Sequence, residues 1–326
     1  MNELLATCIR EPGNELISAE CENLTGGKPD RDGVALCRTL EHVHKAAYVR
    51  AGIQRLAGGR GETLDRLVKE IAEMTFGAED FRIEFLRLSE RIQVRQYEAI
   101  IAVANAIDAS PNLDAPRHRF LLAVQDDGLW FGEILTEADG SYVRHTARPY
   151  RTSSSLPSRL SRALVNLVVP PARTILDLCC GTGSILFEAQ AIGATAYGVD
   201  WNPRMVGMSR KNLAHFGYAA DVELADAREW SRTADALVTD LPYGRRLKMD
   251  GQIVRGILAH ATRLAPVAVY VAGSDISNWL REGGYRDIEV FRVSKGARFT
   301  RYVHRARSCS WQGGSEAGRT GPRDCG

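Results

Sequence analysis

Short apolar runs alternate with glycine turns and helical stretches from Arg173 onward. This pattern predicts strands followed by helices, which form a parallel sheet with helices packed on it. A closing antiparallel pair of strands is expected after the parallel ones. We therefore predict a doubly wound, Rossmann-like α/β domain here. The predicted strands are 174–178, 194–200, 221–224, 236–239, 267–271, 288–293 and 299–304, and the predicted helices are 184–191 and 203–215.

The first 150 residues show a different pattern, in which helical stretches mix with strand-like runs. Helices are predicted at 64–74 and 96–107, and strands at 81–85 and 120–124. This mixture indicates a smaller α+β domain. A further helix is predicted to lead into the second domain, because Leu156, Leu160, Leu164 and Leu167 share one face, with N-capping hydroxyls offered by serines 153–155.

Composition narrows the class of protein. The chain has 326 residues, of which 44% are hydrophobic and 25% are charged, as in ordinary globular domains. No run approaches the ~18 apolar residues of a membrane span, and the N-terminus does not resemble a signal peptide. We therefore expect a cytoplasmic protein without a membrane segment. The seven cysteines include no C-x-x-C pair, so we expect neither a disulfide framework nor a metal site.

Charge is unevenly distributed along the chain. Residues 1–150 contain 18 Lys and Arg against 24 Asp and Glu, whereas residues 151–326 contain 24 against 16. The net charges are −6 and +8, so the second half is the better candidate for binding a polyanion.

The turn after the first strand of the α/β domain predicts a ligand site. It reads DLCCGTGS at 177–184, and Gly181 and Gly183 allow the backbone to approach a ligand. A nicotinamide or flavin fingerprint is the alternative, but it requires a third glycine where this chain has Leu186. The carboxylate of Asp177 would also repel a pyrophosphate, whereas it suits a cationic ligand.

Two more carboxylates follow later strands. Asp200 ends the second strand, where it can accept hydrogen bonds from ribose hydroxyls, and Asp226 can accept from an adenine amino group. Each alone could be a helix cap. Together they resemble the class I S-adenosylmethionine methyltransferases, whose D-x-G-x-G-x-G loop is matched except at one position. The resemblance implies S-adenosyl-L-methionine as cofactor, held by Asp177, Cys179, Gly181, Gly183, Asp200, Trp201, Asp226, Ala227 and Asp240.

The fourth strand leads into a candidate catalytic turn, TDLPYG at 239–244. Asp and Pro are common in plain turns, but this position resembles the [DNS]-P-P-[YFW] motif of enzymes that methylate planar nitrogens. The resemblance implies that Asp240 and the carbonyl of Leu241 accept from the target amine, that Pro242 shapes the turn, and that Tyr243 stacks on the base. The turn alone does not separate adenine N6, cytosine N4, guanine N2 or a glutamine amide.

Segments outside the two motifs resemble one group of methyltransferases and so restrict the set of expected substrates. Residues 145–151 with 156–167 resemble the entry to the catalytic domain of THUMP-bearing RNA guanine-N2 methyltransferases, and residues 111–116 resemble the end of a THUMP domain. Within that family the chain is similar to the archaeal-type enzymes acting on guanosine 10 of tRNA, with a sister group acting on position 6. This implies tRNA as the partner, and it leaves a small activating protein partner open.

The resemblance also implies a division of the chain and a set of RNA contacts. We predict a ferredoxin-like subdomain at 1–55, a THUMP-like RNA-binding domain at 56–140, a linker at 141–155, the methyltransferase domain at 156–309 and a disordered tail at 310–326. Arginines near the entry, the catalytic turn and the closing strands are assigned to phosphate contacts. They are Arg148, Arg151, Arg245, Arg246, Arg298 and Arg301, with Lys248, Arg292, Lys295, Arg305 and Arg307 as further candidates. The alternative for such runs of charge is a plain solvated surface.

Three rival hypotheses remain at this point. The same turn occurs in DNA and protein amide methyltransferases, a non-catalytic RNA-binding subunit could retain the fold, and a nicotinamide oxidoreductase shares the strand–turn–helix pattern. Asp177, Asp200, Asp240 and Tyr243 argue against a non-catalytic subunit.

Overall fold

The computed structural model describes residues 3–76, 80–242, 251–294 and 299–311. The chain forms two compact units. Unit 1 consists of Met1–Glu11 and Ile17–Asp139, and unit 2 of Pro12–Leu16 and Gly140–Gly326. Within the described ranges, no helix is long and apolar enough to cross a membrane.

Unit 1 is built on one mixed sheet of seven strands. They are β1 (Leu4–Cys8), β2 (Val34–Cys37), β3 (Val49–Arg60), β4 (Asp80–Arg87), β5 (Ser110–Pro111), β6 (His118–Gln125) and β7 (Gly128–Glu137). The spatial order is β2-β1-β3-β7-β6-β4-β5. β4 pairs in parallel with β5 and β6, and the other pairs are antiparallel. Strand β3 runs across the predicted boundary at 55/56, so both predicted N-terminal segments contribute to this sheet.

In the part of the N-terminal region that the structure describes there are three α-helices: α1 (Leu16–Thr25), α2 (Leu64–Ala72) and α3 (Gln96–Ala104). Helix α2 begins after Thr63, whose hydroxyl accepts the N–H of Arg66 at 3.4 Å. Leu67 and Ile71, one turn apart on α2, are fully buried in the cluster that contains Phe120. The predicted α2, α3, β4 and β6 are confirmed, whereas the ferredoxin-like and THUMP-like identities stay predictions.

Unit 2 contains a second seven-stranded sheet. Its strands are β8 (Thr174–Asp177), β9 (Thr195–Asp200), β10 (Asp221–Leu224), β11 (Ala236–Asp240), β12 (Val267–Ala272), β13 (Tyr285–Ser294) and β14 (Thr300–Ser308). The order is β10-β9-β8-β11-β12-β14-β13. The first five strands are parallel, and β14 is antiparallel to both neighbours. This confirms the α/β prediction. Chain order reverses between β8 and β11, and in such sheets ligands bind outside the carboxyl ends at that point.

Among the described residues of unit 2, five α-helices accompany this sheet: α4 (Ser158–Asn166), α5 (Ser184–Ala191), α6 (Pro203–His215), α7 (Gly251–Ala261) and α8 (Ser277–Glu282). The bounds of α5 and α6 are those predicted. The expected serine N-cap of α4 is wrong, because Pro157 occupies the cap position and no side chain caps the helix. The hydroxyl of Ser155 instead contacts that of Thr182 at 3.0 Å, since the chain turns toward the loop after β8 before α4 begins.

The segment predicted as a linker packs into unit 2 through buried polar contacts. Glu188 on α5 is fully buried and lies 2.7 Å from Nδ1 of His145, while it accepts from Nε of Arg162 at 3.0 Å. All three side chains are shielded from water, where removing one partner of such an ion-paired set would cost several kcal/mol, about 3–5. The segment entering the domain is therefore fixed in place next to α5.

Candidate cofactor and active site

A cavity of about 490 Å³ lies at the carboxyl ends of the parallel strands of unit 2. This size falls within the ~300–1,000 Å³ of small-molecule sites. The predicted cofactor and catalytic residues that line it are Asp177, Cys179, Gly181, Asp200, Trp201, Asp226, Ala227, Asp240, Leu241 and Pro242. The fold therefore brings together side chains and backbone from four strand ends that are up to 65 residues apart in the sequence.

Asp177, at the end of β8, is the most deeply buried carboxylate of the cavity wall. Its Oδ1 accepts from the hydroxyl of Thr239 at 2.6 Å and from the N–H of Cys179 at 3.2 Å. Burial raises the pKa of Asp177 to about 7, the nearby charge of Asp200 adds to the rise, and the two hydrogen bonds oppose it. The carboxylate is therefore held in a place where its own charge is costly.

Asp200, at the end of β9, contacts the same glycine loop. Its Oδ2 accepts from the N–H of Gly181 and its Oδ1 from the N–H of Asn202, both at 2.9 Å. Burial raises the pKa of Asp200 as well. Two desolvated carboxylates in one cavity favour a ligand that carries positive charge, since an opposite charge nearby stabilises their ionised forms.

The two loop glycines have different roles. Gly181 has a φ of +52° and lines the cavity, and a Cβ there would meet no atom nearer than 3.9 Å. Gly183 has a φ of +88°, and a Cβ would lie 2.6 Å from the hydroxyl oxygen of Ser209 on α6. Gly183 is not among the residues that line the cavity. Its observed contribution is the close packing of α5 against α6, while its predicted ligand contact stays a prediction.

Cys179 occupies the position of the first glycine in the D-x-G-x-G-x-G loop, and its backbone N–H bonds to residues on both β8 and β11. Its N–H lies 3.1 Å from the hydroxyl oxygen of Thr239, in addition to its bond to Asp177. Burial raises the pKa of its thiol far above the ordinary range. The thiol is therefore protonated, and what this position offers a ligand is its backbone and a neutral side chain.

Asp226, after β10, already has a partner. Nε of Arg228 donates to its Oδ1 at 3.0 Å, and this hydrogen-bonded arginine lowers the pKa of Asp226 to about 2. Both residues line the cavity. An ionised carboxylate has about four acceptor sites, so Arg228 does not exhaust them. The assignment of Asp226 to an adenine amino group stays a prediction.

The candidate catalytic turn begins at the end of β11. Asp240 and Leu241 line the cavity next to Pro242, and the N–H of Leu241 donates to the carbonyl of Val271 on β12 at 3.0 Å. This bond fixes the backbone that follows Asp240. Tyr243, Arg245 and Arg246 lie outside the described residues, so their assigned roles stay predictions.

Sequence reasoning missed a second wall of the cavity. Residues 152–156 line it through a run of hydroxyls, in which Thr152 N–H donates to Ser155 Oγ at 2.9 Å. Four consecutive hydroxyl residues were a signal, but a helix cap explained them equally well. Apolar lining comes from Met205, Ile253, Ile257 and Phe299, which sequence alone does not associate with the loop.

The structure distinguishes the predicted phosphate contacts from one another. Arg148 donates from Nη2 to the carbonyl of Leu156 at 2.9 Å, and Arg301 is only 5% exposed and lines the cavity. Arg151 is exposed, and Arg298 lies outside the described residues. Arg292 and Arg305 form ion pairs with Glu15 and Glu289.

Comparison with known proteins shows that this chain is similar to methyltransferases. Residues 145–297 match a family model described as RMKL-like, methyltransferase domain. The tRNA (guanine(10)-N2)-dimethyltransferase of Methanothermobacter thermautotrophicus is 29% identical over 61% of this chain and 62% of that protein. The enzyme of the same description from Pyrococcus abyssi is 35% identical over 36% of this chain and 38% of its own length. The match therefore spans less than two thirds of these relatives.

A eukaryotic relative and a solved structure extend the comparison. The bovine U6 snRNA (guanine-N(2))-methyltransferase THUMPD2 is 26% identical over 46% of this chain and 30% of that protein. The crystal structure of TrmN from Thermus thermophilus superimposes with a TM-score of 0.54 at 20% identity, covering 94% of this chain and all of that one. That likeness establishes the fold.

Proposed function

We propose that unit 2, which has the class I methyltransferase fold and matches the RMKL-like methyltransferase domain model over residues 145–297, methylates the exocyclic N2 amine of a guanosine in tRNA. The observation that carries this proposal is the cavity itself, where Asp240, Leu241 and Pro242 share a wall with Asp177 and Asp200. S-adenosylmethionine is the methyl donor of such domains and, when bound, supplies an electrophilic methyl group on a sulfonium. A cytoplasmic location accompanies the proposal.

Two properties of the cavity suit this donor. The desolvated carboxylates of Asp177 and Asp200 favour a cation, and Asp200 ends the strand where a carboxylate can accept from ribose hydroxyls. The apolar side chains of Met205, Ile253 and Ile257 offer contact area for a purine ring.

The catalytic turn suits a planar amine. The lone pair of an exocyclic amine is delocalised into the purine, so acceptors that hold its two protons help to localise that pair on nitrogen. We assign these acceptors to the carboxylate of Asp240 and the carbonyl of Leu241. As the nitrogen gains positive character during attack, the carboxylate of Asp240 stabilises that charge more than it stabilises the ground state. The amine then loses one proton, for which Asp240 is an acceptor within the site.

Guanosine 10 is the position we propose, because the curated relatives from two archaea are named for that nucleotide. Purified protein is incubated with an unmodified tRNA transcript and labelled S-adenosylmethionine, and the nucleosides are analysed by mass spectrometry. Labelled N2-methylguanosine or N2,N2-dimethylguanosine is expected, in the fragment that contains position 10. A transcript with inosine at position 10, which lacks the N2 amine alone, is the matched control and should take up no label there.

Other outcomes would contradict the proposal in defined ways. Label in adenosine or cytidine would support a methyltransferase but contradict the N2 amine of guanosine as its target. Label at guanosine 6 would support that amine but contradict position 10 of the tRNA. Label in DNA or peptide, with none in tRNA, would overturn the substrate class.

A further inference from the structure

Several segments of unit 2 contain basic residues and no acidic ones, and two of these segments contact one another. Residues 140–176 include six arginines, and residues 201–220 include Arg204, Arg210 and Lys211, with no Asp or Glu in either segment. In a chain with 42 basic and 40 acidic residues, such segments concentrate positive charge. We call their shared exposed face the acid-free surface, defined by Tyr142, Arg144, Tyr150, Arg151, Arg159, Arg204, Lys211 and Tyr218.

The two segments contact one another directly. The N–H of Tyr150 donates to Oδ1 of Asn212 at 2.9 Å, and Nδ2 of Asn212 donates back to the carbonyl of Tyr150 at 2.7 Å. The hydroxyl of Tyr218 lies 2.9 Å from Nε2 of the buried His145. Because Asn212 and His145 are fully buried, these bonds fix the two segments as one continuous surface.

The exposed cations of this surface have no carboxylate partners within the described residues. They are Arg144, Arg151, Arg159, Arg204 and Lys211. Two exposed arginines elsewhere in unit 2 are ion-paired, since Arg232 lies 2.9 Å from Asp221 and Arg255 lies 3.2 Å from Glu282. The charge of the acid-free surface is therefore available to an external anion, whereas the charge of the paired arginines is largely neutralised.

Tyrosine rings lie under three of these cations. Arg144 lies 5.4 Å from the ring centre of Tyr218, Arg159 lies 5.5 Å from that of Tyr142, and Lys211 lies 5.3 Å from that of Tyr150. Within ~6 Å such contacts are attractive, so they restrict the position of flexible side chains. Cations interleaved with aromatic rings are the pattern of surfaces that follow a nucleic-acid strand.

The acid-free surface also adjoins the cavity. Thr152 and Ser153, which follow Arg151, line the cavity, and so do Asn202 and Met205 on either side of Arg204. A strand held here would have its phosphates next to the place where a base enters. Phosphate contacts of this kind set register and affinity without reading sequence.

We propose that the acid-free surface binds the phosphate backbone of the tRNA strand next to the target nucleotide. The choice of tRNA rests on the proposed function. The charge pattern favours a polyanionic strand with regularly spaced phosphates, and the tyrosines supply faces for unstacked bases.

The test compares two double variants with the same change in charge. Arg204→Gln with Lys211→Gln removes two cations of the acid-free surface, and Arg232→Gln with Arg255→Gln removes two ion-paired arginines. The dissociation constant of an unmodified tRNA transcript is measured by filter binding at several salt concentrations. The first variant should bind about tenfold more weakly at 0.15 M salt, and its slope of log K against log salt should fall by about 1.4, since each phosphate contact to a single strand contributes ~0.7.

The control variant should retain the wild-type slope and affinity. Equal weakening of both variants would show an effect of net charge and would overturn the proposal, as would no weakening of the first. Binding of S-adenosylhomocysteine checks that each variant is folded. Vesicles of phosphatidylserine and phosphatidylcholine serve as a second probe. If the first variant lost vesicle binding but bound tRNA as the wild type does, the partner of the acid-free surface would be a membrane and the proposal would be overturned.

The outcome is independent of the nucleoside analysis. If the first variant shows a lower tRNA affinity and a smaller salt slope while the wild type labels another nucleoside, that result would support the proposed role of the acid-free surface and contradict the proposed function. If guanosine 10 is methylated and the variant binds tRNA normally, the proposed function stands and the surface is wrong.

Discussion

Unit 2 handles charge in opposite ways on its cavity wall and on its acid-free surface. The wall presents the buried carboxylates of Asp177 and Asp200, and the charge of Asp200 contributes to the raised pKa of Asp177. The surface presents Arg151, Arg204 and Lys211, exposed and without carboxylate partners among the described residues. One face of the domain suits a small cation and the other a large polyanion.

Burial determines how strongly each charge affects ligand binding and the stability of the fold. Water and salt screen the exposed cations, so each contributes modestly and its effect falls with ionic strength. The wall carboxylates lack that screening, and their raised pKa values reflect the free-energy cost of keeping them ionised away from water. We therefore expect substitutions on the wall to have large effects insensitive to salt, and substitutions on the surface to have small effects that salt removes.

The largest effect is expected for Asp177→Asn on the stability of the protein without ligand. Folding raises the pKa of Asp177 from an ordinary value near 4 to about 7. The folded state thus holds a proton that the unfolded state has released, so stability falls as pH rises between about 4 and 7. Asparagine keeps the Oδ1 acceptor for Thr239 and Cys179 without the charge. At pH 8 the variant should be more stable by up to about 4 kcal/mol.

Urea unfolding at pH 4 and pH 8 measures this effect. The gain should be present at pH 8 and nearly absent at pH 4. Asp226→Asn is the control, because the pKa of Asp226 is lowered by Arg228 and its substitution should not stabilise the protein at pH 8. A variant at Asp177 that is less stable than wild type at pH 8 would contradict this account of the wall.

Asp240→Asn should reduce kcat by about 10²–10³, the usual cost of removing a preorganised electrostatic partner. The amide has the size of the carboxylate but lacks its charge and part of its acceptor capacity. Single-turnover methylation of tRNA measures the step directly. The affinity for S-adenosylhomocysteine should stay near that of wild type, because other carboxylates hold the donor. A near wild-type rate would remove Asp240 from the mechanism.

Asp200→Ala should weaken S-adenosylhomocysteine binding about ten- to a hundredfold. A hydrogen bond between a neutral hydroxyl and a charged group contributes ~1.5–3 kcal/mol. The substitution also removes the acceptor for the N–H groups of Gly181 and Asn202, so part of the loss comes from the loop. Isothermal calorimetry at 0.05 and 0.5 M salt should give the same loss. Unchanged affinity would place the ribose elsewhere.

Local signals predicted the elements that carry the site. Helix α6 begins where predicted because Asn202 caps it by accepting from the N–H of Arg204 and Pro203 occupies the first turn. The carboxylates at the strand ends are predicted to lie together for a different reason, because parallel strands bring their carboxyl ends to one edge of the sheet. In both cases the signal is local, since each residue is recognised by its position at the end of a strand or the start of a helix.

What sequence missed depends on contacts between distant residues. The sequence predicts a cap at Ser155 because nothing near it in the chain indicates its partner, Thr182, which is 27 residues away. The sequence predicts a ligand contact for Gly183 because nothing local shows that Ser209 lies against it. Arg148 and Arg151 looked alike in sequence, but the first is bound to the carbonyl of Leu156 and the second is exposed.

For Arg148 and Arg151 we expect the smallest effects, and these two residues contrast most clearly a partly buried charge with an exposed one. Arg151→Gln should weaken tRNA binding about fourfold at 0.15 M salt, the share of one phosphate contact to a single strand, and the loss should shrink to less than about twofold at 0.5 M. Arg148→Gln should lower the unfolding temperature at either salt concentration, because Arg148 bonds Leu156 and lies 5.7 Å from the ring centre of Phe187. Filter binding and thermal unfolding of both variants make the comparison. If Arg151→Gln lowered stability as much as Arg148→Gln, or if its loss of tRNA affinity persisted at 0.5 M salt, Arg151 would act by positioning the entry segment rather than by contacting phosphate.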